Sequence, residues 1–344
     1  MVSAVQIQAQ TTKRGIYETC DFRGLSADGR YAFILKHTIF KPWLGKGIIT
    51  VAVMCFDRQT RKTHSFAEQE ELSLHLEQQL KQAISWDDCT FSFATGSFFV
   101  INRELMRGKI HTNQGAISWH WQLQRQDEVL QQLPPALCYE LPWPRHKVQV
   151  RDCFLRYHGK MQCVGLSLSG TFSGSSHHYW GDGYPVEYAA AQANHFLEDK
   201  DAFFYGFSSR LSVAKLFTSP YLSMASLKVR GRWYNFNSVL QSARHQVEAL
   251  DNYRWRMTFL SADYGLELDV DGSNPRLKAW AAWHAEQPFG ERAVVKVSPF
   301  ASATLSLYQR RTMALLAELS TEDMELKTLL PENVAENSGF LAVP

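Results

Sequence analysis

The densest gathering of chemically useful side chains lies in Ser175 to Tyr184, reading SSHHYWGDGY. His177, His178 and Asp182 are proton donors or groups that orient one, and Tyr179, Trp180 and Tyr184 are surfaces suited to an apolar pocket. To donate a proton near neutral pH, a carboxylic acid must have its pKa raised by burial, whereas a histidine needs little adjustment. Asp182 or His178 is the expected acid, with His177 as a further candidate. Plainer roles compete with these. Gly181 to Pro185 reads first as a turn, where Asp is favoured for its backbone chemistry. Neighbours on a strand point to opposite faces, so at most one of His177 and His178 faces a given interior, and the pair is unsuited to bind zinc together.

Other aromatic groups stand elsewhere. Trp119 and Trp121 share one face of an alternating run and line the interior of the first half, with ordinary core packing as the stronger reading. Trp280, Trp283 and His284 sit in AWAAWHAEQPFGE, a short helical-looking piece that caps or plugs a barrel mouth. The chain has no GxSxG nucleophile elbow, no P-loop, no Rossmann glycine fingerprint and no HExxH. GTFSGS at Gly170 to Ser175 lacks the Lys and helix start of a phosphate loop. The expectation is therefore a protein that works without cofactor or metal.

Composition narrows the class. Hydrophobic residues make up 45% of 344 and charged residues 20%, enough to bury a core and too apolar for disorder. A formal charge of +2 without a long basic run gives nucleic acid binding no electrostatic support. Met1 to Cys20 has no apolar export segment and no run of about 18 apolar residues exists, so a soluble, cytoplasmic protein is expected. The six cysteines at 20, 55, 89, 138, 153 and 163 form no CxxC pair and read as reduced core thiols.

The elements that must position these residues are mostly strands. Tyr31 to Phe40, Ile48 to Phe56, Phe91 to Ile101 and Ala116 to Leu123 are strand-like, as are Lys147 to Tyr157 and Gln162 to Phe172. Tyr253 to Phe259 and Tyr264 to Val270 alternate strictly, and Ser261 to Asp263 reads as their hairpin turn. Ala293 to Gln309 and Thr312 to Leu329 read as a closing hairpin. Phe66 to Ile84 is ambiguous: good helix formers with Leu72, Leu76 and Leu80 four apart, or a polar outer strand pair. Pro134, Pro135, Pro142 and Pro144 mark a boundary, giving an N-terminal β domain over 15–145, a C-terminal one over 146–330 and a loose tail over 331–344. Many short strands with regular turns point to barrels or a sandwich, an all-β chain with few short helices.

WGDGYPVEYAAAQANHF at Trp180 to Phe196 resembles the signature region of the lipocalin-related tocopherol cyclase-like family: a Trp-Gly pair, then Pro, an aromatic strand and Gln-x-Asn-x-Phe. Here these are Trp180, Gly181, Pro185, Tyr188, Gln192, Asn194 and Phe196. Gly231 to Phe236, Arg254 to Leu260, Gly265 to Asp271 and the hairpin around Leu305 to Leu326 follow in the family's order, so the resemblance covers roughly residues 150–329. SADGRYAFILK at Ser26 to Lys36 resembles an opening strand of the wider group that includes carotenoid hydratases. The chain departs from the Trp-rich plant-type pattern with Val186, Ala189, Ala190 and Ala191, which puts a tocopherol substrate in doubt more than the fold.

The resemblance implies two lipocalin-like barrels, or a barrel plus a sandwich. It also implies a cyclase or hydratase of a hydrophobic prenylated or polyene small molecule. In such chemistry a proton reaches an alkene and a tertiary cation is trapped by oxygen, or the cavity shapes a polyene for a pericyclic closure. Trp180, Tyr184, Tyr188, Trp119, Trp121 and Trp283 then line the cavity, while Gln192 and Asn194 hydrogen-bond a substrate oxygen. The rival is a non-catalytic carrier of an apolar ligand, since a shared fold does not confer shared chemistry.

Overall fold

Alternation in the first strand already shows how the chain is used twice. Along β1 (Ile16–Ser26), Cys20 and Phe22 enter one core while Leu25 enters another, and every residue but the last is buried. A strand buried on both faces must lie between two packed layers. The computed structural model describes residues 7–10, 13–83, 85–113, 115–126, 128–133, 137–141, 144–213, 217–274, 277, 279–286, 292–329 and 342–343. It is nearly all β, built from two curled sheets with few, short helices.

The first sheet contains β1, β2 (Tyr31–Lys41), β3 (Ile48–Asp57), β4 (Lys62–Glu71), β5 (Asp88–Ser92), β6 (Phe98–Asn102), β7 (Leu105–Thr112), β8 (Gly115–Arg125), β9 (Leu130–Gln131), β10 (His146–Cys163) and β11 (Leu166–Gly181). Its order is β4-β3-β2-β1-β11-β10-β8-β7-β6-β5, with β9 paired to β10. The second contains β12 (Glu187–Ala193), β13 (Phe203–Arg210), β16 (Leu222–Val229), β17 (Arg232–Phe236), β18 (Gln246–Leu250), β19 (Arg254–Leu260), β20 (Tyr264–Asp271), β21 (Ala281–Glu286), β22 (Arg292–Gln309), β23 (Ala314–Leu329) and β24 (Ala342–Val343). Between β13 and β16, a separate ribbon is formed by β14 (Ser212–Val213) and β15 (Phe217–Thr218).

Both sheets follow one plan. Four antiparallel strands run outward from the middle, a short helix follows, and the chain then returns from the far edge until its last strand pairs with its first: β11 with β1, β23 with β12. The helix is α1 (Leu74–Gln82) in the first half; α2 (Leu137–Glu140) precedes β10, and α3 (Val239–Ser242) takes the corresponding place in the second. In chain order α1 and α3 each connect the two outermost strands of their sheet, and side chains join the gap between the sheet ends. In the first half Glu68 of β4 accepts from the His111 N–H of β7, at 3.2 Å. In the second, His245 donates from Nε2 to the Phe236 carbonyl and accepts at Nδ1 from the Leu260 N–H. Burial pushes that imidazole down to about 4, which keeps Nδ1 free to accept.

Several sequence expectations are refined here. Phe66 to Ile84 is both alternatives in turn: its start is the end of β4, and Ser73 caps α1 through the Leu76 N–H. Ile84 lies outside the described residues. Phe91 to Ile101 is broken by a turn at Gly96, whose φ of 85° suits glycine. The helical-looking segment around Trp283 is strand β21, held by β22; short apolar runs of Ala and Trp carry no decisive period. The sheets change over between Gly181 and Glu187, past the proline-rich segment, because β10 and β11 complete the first sheet. The 331–341 stretch of the tail lies outside the described residues. No cysteine is disulfide-bonded, and no described helix is long and apolar enough to cross a membrane.

Each curl holds its own core. Phe33, Trp121, Tyr157 and Phe172 fill the first, with Phe33 and Trp121 stacked at 5.2 Å. Trp255, Met257, Phe259 and Leu266 help fill the second. Two further clusters join the halves. One packs Ile34, Met54 and Phe56 on Trp283, Val297 and Phe300, and the other packs Val148 and Val150 on Phe203 and Tyr205. The candidate site lies between these two clusters.

Candidate functional site

Strand register sets the first wall of the site. Lys36, Asp21, His177 and Val150 are direct partners across β2, β1, β11 and β10, and so share one face. The next row is Thr38, Thr19, Tyr179 and Val148. The second wall has Leu329, Tyr188 and Ser209 in one row, Lys327, Ala190 and Phe207 in the next, and Glu325, Gln192 and Tyr205 in the third. The walls enclose a cavity lined by Asp21, Lys36, Tyr179, Tyr184, Tyr188, Tyr205, Phe207, Trp283 and Lys327, among others. About 770 Å³ there is free of atoms, open solvent included. Lys36, Tyr184 and Trp283 also line an adjoining recess that reaches Thr50 and Gln69.

The cavity floor is ionic. Lys327 Nζ lies 2.9 Å from Asp21 Oδ2 and 3.0 Å from Glu325 Oε1. His177 donates from Nδ1 to Asp21 Oδ1 at 3.0 Å, and Gln192 donates to Glu325 at 3.4 Å. Arg23 stands 3.6 Å from Glu325 and donates to the carbonyls of Pro299 and Asp323. Burial opposes ionisation of Asp21, but the Lys327 charge and the His177 hydrogen bond outweigh it and hold the carboxyl below its ordinary range. Lys327 is in turn held above its ordinary value despite burial, by Asp21 and Glu325. Tyr184 is pushed up to about 12 and Tyr179 and Tyr188 well above their usual value, chiefly by burial, so these phenols are donors and not phenolates.

Lys36 differs from the other cations. Its ammonium sits 4.5 Å above the centre of the Trp283 ring, with no hydrogen bond or ion pair among the described residues. Burial pushes it down to about 7, and the neighbouring Lys327 charge adds to the fall while Asp21 opposes it.

The expected site residues divide between three places. Tyr184, Tyr188 and Trp283 line the cavity; Gln192 lies on its ionic floor, accepting from the Ser175 hydroxyl at 3.2 Å. His177 borders it, between the rings of Tyr179 and Tyr205. His178 points the other way, into the first curl, where Nε2 donates to Glu18 at 2.7 Å and the ring stacks on Trp180. Glu18 also accepts from Trp86 and from the Ala9 N–H. Burial pushes His178 down, against the pull of Glu18. Trp119 and Trp121 lie in the packed first core. Asn194 donates to the Gly174 carbonyl at 2.6 Å and ties β12 to β11. Asp182 sits at the end of β11, where Arg145 Nε donates to it at 2.9 Å and Lys13 stands 3.7 Å away; it does not line the cavity.

Lys36, Asp21, Lys327, Glu325 and His146 were not singled out from the sequence. A signal was present for Lys36, a charge that closes the apolar run AFIL inside a strand; Asp21 and Lys327 stand in strands that carry several other charges. A charge in an apolar strand run such as that of Lys36 is buried only with a partner or a purpose. His146 has no comparable signal; it hydrogen-bonds the Tyr17 hydroxyl, and burial pushes it down to about 4.

No protein family and no curated protein matches the chain by sequence. Solved structures match by fold. A protein of Nitrosomonas europaea, NE1406, provisionally named ATTH, superposes with a TM-score of 0.53 at 12% identity, over 95% of this chain and 97% of its own. CghA, in a structure with Sch210972, superposes with a TM-score of 0.55 at 10% identity, over 92% of this chain and 88% of its own, and its structure without that molecule does the same. The two-sheet architecture is therefore shared across nearly the whole length of these proteins.

Proposed function

We propose that the chain is a cofactor-independent cyclase of an apolar polyene or prenylated small molecule, which it folds into a reactive conformation between the two sheets. One observation carries the reading: the cavity is walled by four tyrosines, Phe207 and Trp283, and holds Lys36, which has no hydrogen bond or ion pair among the described residues. Apolar walls with a few convergent polar groups are the usual form of a small-molecule site. A flexible chain held there, with its oxygen-bearing end toward Lys36, loses the conformations in which its reacting carbons are apart, and that confinement lowers the barrier to ring closure. The full-length likeness in fold to CghA, seen with a bound small molecule, adds support.

Templating is better supported than protonation of an alkene. The carboxyl lining the cavity, Asp21, is held ionised, and Asp182 and His178 do not line it. The test is to extract the purified protein for bound small molecules. Linear conjugated polyenes and prenylated phenols are then incubated with it, followed by chromatography. Ring-closed product above the buffer rate, lost in Tyr188→Ala and kept in Asp182→Asn, is the expected result. Binding without turnover would make the protein a carrier, and failure of the whole panel to bind would remove the ligand reading.

A further inference from the structure

We propose that Lys36 is a nucleophile that captures an aldehyde or ketone ligand as a reversible Schiff base in the cavity between the sheets. The inference rests on the cavity reading above and names the chemical class of the ligand's polar end.

The geometry sets Lys36 apart from the other cavity cation. Lys327 spans Asp21 and Glu325, and the second oxygen of Asp21 is taken by His177. Asp21 is the direct cross-strand partner of Lys36, but both its oxygens already serve other donors. No hydrogen bond or ion pair to Lys36 is found among the described residues, and its ammonium lies against the Trp283 ring. A cation–π contact contributes on the order of 2 kcal/mol, less than the several kcal/mol that fully removing an ammonium from water costs, and the half-buried Lys36 bears part of that cost. A lysine beside a second cation in an apolar pocket responds by releasing its proton, and the free amine is the nucleophilic form. The downward shift of Lys36 agrees.

The chemistry balances with no further reactant. The Nζ lone pair forms a bond to the carbonyl carbon as the carbonyl π bond breaks, and one N–H proton passes to the oxygen, giving a carbinolamine. Loss of that hydroxyl with the second N–H proton, as water, leaves the imine. Nothing is oxidised or reduced, and water returns the ligand. If the ligand is a conjugated carbonyl compound, the protonated imine withdraws electrons from its chain more strongly than the carbonyl did, which favours closure of an electron-poor polyene.

The experiment uses the full chain with trans-cinnamaldehyde and citral as probes, cyanoborohydride as the trap, and peptide mass mapping as the readout. The expected result is labelling of Lys36 on the order of thirtyfold faster than of exposed lysines such as Lys62 at neutral pH. That factor is the excess of free amine at Lys36 less its lower intrinsic nucleophilicity. Lys36→Met and Lys36→Arg should both lose the adduct while keeping the native circular dichroism. Cinnamyl alcohol, which cannot form an imine, separates the two readings. If the alcohol binds and Lys36 is labelled no faster than Lys62, the Schiff base falls and the cavity reading stands. If neither probe nor alcohol binds, both fall.

Discussion

β1 and β11 are walls shared by two unlike spaces, the interior of the first curl and the layer between the sheets. On the inner side, Phe33, Trp121, Tyr157 and Phe172 meet ring to ring, and charged groups at its edge are paired, His178 with Glu18 and Arg125 with Asp87 and Asp152. On the other side Tyr179, Tyr184, Tyr188 and Tyr205 contact neighbouring rings yet leave a cavity between the sheets, and Lys36 has no hydrogen bond or ion pair among the described residues. The cause is geometric. A single curled sheet draws its side chains toward one axis and can close around them, whereas two convex sheets touch along patches and leave a hollow between. His177 and His178 make the contrast in adjacent residues: one borders the hollow, the other is sealed in the core. A barrel-shaped half is thus no guide to where a cavity lies; this one lies between the two sheets.

Substitutions on both sides test that contrast. Trp121→Ala should be the most damaging, removing a fully buried ring from the packed side at a cost of about 3–5 kcal/mol. Urea unfolding should show the loss, while ligand affinity of the folded fraction stays unchanged; lost affinity would mean that the first curl is the ligand space after all.

Asp21→Asn acts on the hollow side and leaves Lys327 buried with one partner fewer. A broken buried pair costs about 3–5 kcal/mol, and we expect the lower end because Glu325 remains. Asp21→Asn combined with Lys327→Met should recover part of it, a coupling read from a double-mutant cycle. The pH dependence follows in sign. The folded carboxyl sits below its unfolded value, so its contribution is complete above the unfolded range near 3.8 and is lost as pH falls toward the folded value. The wild-type protein should therefore lose stability below about pH 4 more steeply than Asp21→Asn. Parallel curves would show that Asp21 is not the charged partner of Lys327.

Asp182→Asn should do least. Its link to Arg145 is partly exposed, and such pairs contribute about 1 kcal/mol or less. Thermal melting should shift little, and turnover should persist; a large loss of turnover would restore Asp182 as the acid.

The sequence by itself determined the elements. Period-two alternation is local, so Ile117, Trp119 and Trp121 could be placed on one buried face, His177 and His178 on opposite faces, and the last hairpin drawn nearly to its ends. It also pointed to Tyr184, Tyr188 and Trp283 as lining. Only the tertiary structure decided which of two buried faces holds space, because a strand buried on both sides has the same pattern whether its neighbour is a core or a cavity. It alone decided the ionic floor too. Asp21 and Lys327 stand 306 residues apart, and no spacing rule links them. Their pairing, and the unpaired state of Lys36, arise only when the second sheet packs across the first and each buried charge must find its partner in three dimensions.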